Sequence, residues 1–248
     1  MYFLHVLKLS QKKCKYWWHS YFCNVAIQYS KDPKLIHFFE TLKKQRWDDH
    51  RYYHHSRINQ SLHLVSALSF LTAYFLLFTD PISASLLAWL VAMTTRQSGH
   101  FFFEPKGYDE VNKATHEYKE EIKVGYNLNR KIVLLSIWAA IPVLVYFNPV
   151  FLQKFIALNT FTNTEGFIRQ TGLLWLWLGV GGVLFRTFHL FFIHNVEAAL
   201  AWMTKIITDP FHDAKIYATA PLYLLRGQLI DPMNHLEISE ENLSSINS

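Results

Sequence analysis

Apolar residues in this chain come in long blocks separated by polar stretches. From Ser61 to Phe78 there is no Asp, Glu, Lys or Arg. Asp80-Pro81 marks a tight turn, after which Ile82 to Thr95 continues apolar and runs on to Phe103. Two further runs cover Ile132 to Leu152, interrupted by Pro142 and Pro149, and Thr171 to Ile193. A helix needs about 20 residues to cross a bilayer core. The pattern therefore predicts four membrane-spanning helices, at about 60–78, 82–103, 132–152 and 171–194, the first two forming a hairpin. Ahead of them, Asp32 to Arg57 reads as a helix with Leu35, Phe38, Phe39 and Leu42 at helical spacing. That helix is expected to lie at the membrane interface or to cover a site.

The intervening stretches are polar. Residues 104–131 carry Glu117, Lys119, Glu120, Glu121 and Lys123, and 153–170 form a polar loop. Beyond Asn195 the chain is mixed, and it closes on a Ser/Asn/Glu-rich tail expected to be disordered. The predicted fold is all-α, a polytopic membrane bundle of about four spans. It divides into a cytoplasmic or interfacial region (1–58), a membrane domain (59–226) with a polar cytoplasmic segment at 104–131, and a polar tail (227–248).

Composition supports a membrane class. The 248 residues are 51% hydrophobic and 17% aromatic, and the charged fraction of 17% is below the roughly 25% of soluble domains. The net charge of +5 comes without a basic stripe interleaved with aromatics, so a nucleic-acid partner is not expected. Lys and Arg are unevenly placed: eleven fall in 1–59, none in 79–81, seven in 96–131 and two in 153–170. The positive-inside rule then predicts an integral membrane protein of a bacterial inner membrane or the endoplasmic reticulum, with both termini and the 96–131 segment cytoplasmic. Met1 to Leu9 is short and lacks a small-residue cleavage site, so the first span is expected to direct insertion. Cys14 and Cys23 match no zinc spacing and read as free thiols.

On this topology His54, His55, His63, His100, His116, His189, His194 and His212 all fall on one side. His63 begins the first span, His100 ends the second, and His189 and His194 end the fourth. Imidazoles delivered to one depth by independent helices suggest a shared metal site, and imidazole suits iron, zinc and copper. His50 and His54, Asn59 and His63, His100 and Glu104, and His116 and Glu120 each share a helix face. His55 and His63 are eight residues apart, roughly 12 Å on a continuous helix. They cannot both hold one ion unless a helix begins between them, with Ser56 or Asn59 as its N-cap. Otherwise one of them orients another ligand. Asn59 can equally serve only as a cap, and Glu104, before Pro105, only as a helix end. Arg51, Arg57 and Lys106 form a basic rim able to pair with a carboxylate. Gly179-Val180-Gly181-Gly182 reads as close helix packing.

Two strings, Tyr53-His54-His55-x3-Asn59-x3-His63 and Gly99-His100-x-x-Phe103-Glu104, resemble the membrane 2-hydroxy fatty acid dioxygenase family. A weaker match runs from Asp209-Pro210-Phe211 to Ala220-Pro221-Leu222. The resemblance covers roughly residues 50–105 and 205–226. It implies an Fe(2+)-dependent membrane enzyme that uses O2 to shorten a fatty-acid-like lipid by one carbon. His54, His55, His63 and His100 would be metal ligands, and Asn59 and Glu104 would act beside them. Where the family has a short link, this chain has about 100 residues holding two additional predicted spans.

Two other readings stay open. His50-x3-His54-His55 and His189-x4-His194 are similar to the clusters of di-iron membrane hydroxylases and desaturases, although a His-x-x-His-His box is missing. A non-enzymatic membrane scaffold would need none of these residues to hold metal. Oligomeric state is not legible in the sequence.

Overall fold

The computed structural model of the chain describes residues 33–104, 107–109, 112–125, 127–148 and 163–232. Among these residues the regular structure is entirely helical, as expected. The helices are α1 (Pro33–Tyr53), α2 (Arg57–Leu76), α3 (Pro81–Leu87), α4 (Thr94–Phe102), α5 (His116–Ile122), α6 (Leu128–Phe147), α7 (Thr164–Ile193), α8 (Val196–Ile216) and α9 (Ala220–Leu225). A π-helical segment, Ala88–Met93, joins α3 to α4. Cys14, Cys23 and Lys106 lie outside the described residues.

Local side-chain chemistry sets most helix starts. Ser56 caps α2 by accepting from the Asn59 amide, and Asp80 caps α3 by accepting from Ile82 and Ser83, with Pro81 at the first helical position. Thr115, Asn127, Asn163 and Asn195 cap α5, α6, α7 and α8 in the same way. Each satisfies an amide that has no partner inside its helix. These caps move the expected boundaries. The Asn163 cap starts α7 at Thr164, so residues 164–170 are its first turns rather than a loop. The third apolar run forms Leu128–Phe147 and ends at Asn148.

Of the four expected spans, α6 and α7 are long and apolar enough to cross a membrane. Both expose large side chains, including Val133 and Leu144 on α6 and Phe185, Phe188 and Phe192 on α7. The hairpin of α2 and the 81–102 run is arranged inside out. Asn59, Gln60, His63 and Ser66 are buried on one face of α2, while Leu68 and Phe75 on the other are exposed. The polar face of α2 meets α4, α8 and α9.

Helix α1 runs along α8. Leu42 is buried, Thr41 donates to Glu197 at 2.7 Å and Gln45 donates to the Ala198 carbonyl at 3.1 Å. Buried ion pairs extend this join to α4. Lys205 meets Asp49 at 2.8 Å, and Arg96 meets Asp213 at 3.0 Å and Asp209 at 3.7 Å. Helix α7 packs on α3 and α8, and α6 packs on α7. Three indoles lock that side: Trp89 donates to the Trp175 carbonyl (2.7 Å) and Trp175 to the Trp138 carbonyl (2.9 Å). Of the glycine run, Gly179 lies against Trp89 while Gly181 faces open space.

The first residues of the expected polar tail are tied to the helices. Gly227 turns the chain with φ +80°, the Leu229 carbonyl accepts from the Arg57 amide, and the Asp231 amide donates to the His55 carbonyl. The Asp231 carboxylate then receives Arg57 at 2.9 Å and Gln60 at 2.8 Å. Residues 233–248 lie outside the described residues. Removing one partner of a buried pair leaves an uncompensated charge, at a cost of about 3 kcal/mol. Asp231→Ala should therefore lower the thermal midpoint of the detergent-solubilised protein by several degrees, far more than substitution of the exposed Leu225. Equal midpoints for the two variants would show that the tail contributes nothing.

Candidate metal centre

The site begins with a break in the chain. Helix α1 ends at Tyr53 and α2 begins at Arg57, so His54 and His55 sit in the turn. Two α2 side chains reach back to fix it. Asn59 Nδ2 donates to the Tyr53 carbonyl (2.8 Å) and Gln60 Nε2 to the His54 carbonyl (2.9 Å). Ser56 caps the new helix between them. His54 and His63 are nine residues apart and would be roughly 13.5 Å apart along one helix. The break brings their rings to 4.2 Å between centroids.

His100, from α4, completes a triad. Its ring lies 5.3 Å from that of His54 and 4.9 Å from that of His63. One ligand nitrogen from each residue falls within 4.8 Å of the others, so the group can hold a metal ion. The donor set fits a cation. Both ring nitrogens of His54 and of His63 are buried without a hydrogen-bond partner. Bare buried polar atoms are costly in a folded chain, and a bound cation would satisfy one on each ring.

Glu104 and Asn59 take supporting positions. Glu104 Oε2 lies 2.7 Å from His100 Nδ1, and Lys123 holds its other oxygen at 3.3 Å. The carboxylate accepts from Nδ1–H, which leaves Nε2 unprotonated for a metal and fixes the ring plane. Burial raises the Glu104 carboxyl above its ordinary range, and Lys123 opposes that rise. Asn59 Oδ1 is buried without a hydrogen-bond partner. It points at Gly99, where an added Cβ would sit 2.1 Å from that oxygen and 3.4 Å from the His63 ring. The glycine of the Gly-His string is thus a packing requirement, letting α4 approach α2 closely enough for His100 to reach His63.

Other expected site residues go elsewhere. His55 is corrected from ligand to structural partner: its Nε2 faces Asn112 Nδ2 at 3.2 Å and Asp109 at 3.5 Å. The alternation of neighbours in the turn sends His54 inward and His55 to the opposite side. Of the expected basic rim, Arg51 pairs with Asp48 at 2.9 Å and Arg57 with Asp231 at 2.9 Å, while Lys106 lies outside the described residues. His189 is held by Arg186 at 2.7 Å and stacks on Phe185, and His194 is exposed. The fourth-span histidines therefore share a predicted depth with the triad but do not converge on it. The third contributor is the end of α1.

Sequence reasoning placed His50 beside His54 but missed Tyr217 and Asp213. Tyr217, following α8, hydrogen-bonds through its hydroxyl to His50 Nδ1, and its ring lies 5.8 Å from His54 and 6.1 Å from His63. His50 is 5.7 Å from His54 and 5.3 Å from His212. Asp213 Oδ2 approaches His63 Nδ1 at 3.7 Å while holding Arg96. The i, i+4 pairing of Asp209 with Asp213 and the Tyr after them was the available signal, but only the packing of α8 on α2 gives it meaning. Burial pushes His50 down to about 3, with repulsion from His54 adding to the effect. His54 also lies well below its ordinary value through burial and then repulsion from His63. Burial raises the Tyr217 hydroxyl well above 10.

The fold and site define an all-helical protein with two helices apolar enough for a membrane and a buried histidine triad. Comparison with family models, curated proteins and solved structures returned no match to this chain.

Two outcomes follow from this geometry. Glu104→Ala should weaken metal binding by about 10–100-fold, and Gly99→Ala should abolish it, both read by metal titration; unchanged titrations would remove Glu104 and Gly99 from the site. The second concerns pH. The folded state binds fewer protons on His50 and His54 than the unfolded state, so stability is greatest above pH about 6.5 and falls as pH drops toward 3. Thermal midpoints between pH 8 and pH 4 test this; a flat profile would contradict the buried neutral imidazoles.

Proposed function

We propose that the chain is an Fe(2+)-dependent membrane dioxygenase that shortens 2-hydroxy fatty acids by one carbon. The observation that supports it most is the triad of His54, His63 and His100, with bare ring nitrogens and Glu104 behind His100. Three imidazoles accept several transition metals; the resemblance of the Tyr-His-His and Gly-His-x-x-Phe-Glu strings to the dioxygenase family is what favours iron. The ion, held by His54, His63 and His100, would supply a centre at which O2 and the 2-hydroxy acid meet.

The reaction balances without another reductant. A 2-hydroxy acid R–CH(OH)–COOH and O2 give R–COOH, CO2 and H2O. Four electrons leave the two substrate carbons and reduce O2, the bond between those carbons breaks, and the carboxyl carbon leaves as CO2. In this account Glu104 holds the His100 ring, and Asn59 Oδ1 offers a buried acceptor beside the site. Tyr217 and His50 form a hydrogen-bonded pair at its edge, able to hold a proton.

The inside-out hairpin supports integral membrane placement with four spans, since a polar inner face and an apolar outer face suit lipid surroundings. In that arrangement α2, the 81–102 run, α6 and α7 cross the bilayer, and the triad lies near the cytoplasmic surface with both termini on that side.

The di-iron alternative is less favoured. Among the described residues one His/Asp/Glu group has metal-holding geometry, and it offers three ligands. Metal analysis with product analysis distinguishes the readings. The purified protein should carry a single iron, lost in His63→Ala and His100→Ala, and should convert 2-hydroxypalmitate to the acid one carbon shorter, with one CO2 formed per O2 consumed and no added reductant. Two irons and a need for electrons would move the assignment to a hydroxylase. Iron retained by both alanine variants, or no O2-dependent shortening, would defeat it.

A further inference from the structure

A cavity of about 500 Å³ opens among α2, the 81–102 run, α6, α7 and α8. Its wall includes His100, so it reaches the metal centre, and it extends along the 81–102 run as far as Ala84. Sixteen residues separate those two positions, roughly 24 Å of helix. One leaflet of a bilayer core is about 15 Å thick, so the cavity is deep enough for an entire acyl chain. Between its ends the wall is apolar, with Phe70, Met93, Leu134 and Val183 among its members.

The end near His100 is polar, and its charges are almost all accounted for. Arg96 pairs with Asp213 and Asp209, Lys123 with Glu104 and Glu120, and Lys205 with Asp49 and Asp209. Lys131 differs: it lines the same cavity, and its ammonium has no hydrogen-bond or ion-pair partner among the described residues. Glu104, Asp49 and Glu120 are the carboxylates whose fields reach it, but each is engaged by Lys123 or Lys205 and none pairs with it directly. A part-buried cation in that position is favoured when a ligand brings an anion. Deeper in the cavity Gly179 faces Trp89, where an added Cβ would sit 3.7 Å from the indole nitrogen. Trp89 is fixed by its bond to the Trp175 carbonyl, so any side chain beyond a methyl at 179 must enter the passage. Trp89 lies eleven residues from His100, about 16 Å along the run.

We infer that Lys131 and Gly179, both on the two helices that the resembling family lacks, select the substrate: Lys131 anchors the carboxylate of a single-chain acyl acid, and Gly179 leaves the passage for a long tail. This inference rests on the dioxygenase reading for its purpose, but its test does not. An apolar passage with, among the described residues, one cation at its head that makes no ion pair matches one chain and one carboxylate.

The test is displacement of tritiated palmitate from the full-length protein in detergent, measured with the metal chelated away so that only protein groups hold the ligand. Unlabelled palmitate should compete about tenfold better than methyl palmitate, the value of one charge-assisted hydrogen bond. Lys131→Gln should erase that preference, and Lys131→Arg should keep it. Gly179→Leu should weaken palmitate about tenfold while octanoate binding and the thermal midpoint stay unchanged. Equal competition by acid and ester in the parent protein, an intact preference in Lys131→Gln, or stronger competition by phosphatidylserine than by palmitate would overturn the carboxylate anchor. Equal losses for octanoate and palmitate in Gly179→Leu would overturn the length selection. Palmitate binding through Lys131 in a protein that never carries iron would sink the dioxygenase and leave this inference standing. Iron-dependent shortening without any preference for acid over ester would do the reverse.

Discussion

The arrangement depends on the turn between Tyr53 and Arg57. A single helix through this stretch would hold His54 and His63 more than two turns apart. The Ser56 cap stops that helix, and the Asn59 and Gln60 amides clamp the carbonyls of Tyr53 and His54. Those bonds satisfy backbone groups that would otherwise be buried bare. They also turn His54 toward His63 and His55 away, toward Asp109 and Asn112. The same turn receives residues 229–231 through the Arg57 amide and the His55 carbonyl. Local capping, the histidine triad and the anchoring of residues 229–231 are therefore one problem solved by one set of polar side chains.

Around this turn the protein is polar where helices meet and apolar where they face outward. Helix α2 places His63 and Ser66 inside and Phe75 outside. The buried charges of α1, α4 and α8 are compensated among themselves, through Asp49 with Lys205 and Asp213 with Arg96. Such pairs gain their strength from low dielectric surroundings and are costly when broken. They position α8, and with it Tyr217, against the triad. The π-helical segment shifts the register of the run that carries Trp89 and His100, as π segments near functional sites commonly do.

Much of the site was legible because its chemistry is local. Gly99, His100 and Glu104 share one helical stretch, and the i, i+4 spacing by itself predicts the His100–Glu104 contact that the structure shows. The helix break was legible as a condition on His55 and His63, and Ser56 fulfils it. The fate of His55 was not legible, since nothing in the string Tyr-His-His says which ring turns inward. The fourth-span histidines misled because shared depth is a one-dimensional property. Convergence also needs the rotation of each helix about its axis, and His189 pairs with Arg186 of its own helix rather than meeting the triad.

The sequence by itself determined the helical class, the apolar runs that become α6 and α7, and a set of candidate ligands that includes His54, His63 and His100, because these follow from periodicity and ligand chemistry within a few residues. Tertiary structure alone decided which of two adjacent histidines joins the triad, that Tyr217 and Asp213 stand behind it, that residues 229–231 are pinned, and that Lys131 lines a cavity with no ion-pair partner among the described residues. Those outcomes depend on how helices distant in sequence rotate and approach, which is set by mutual burial and charge pairing across the whole bundle.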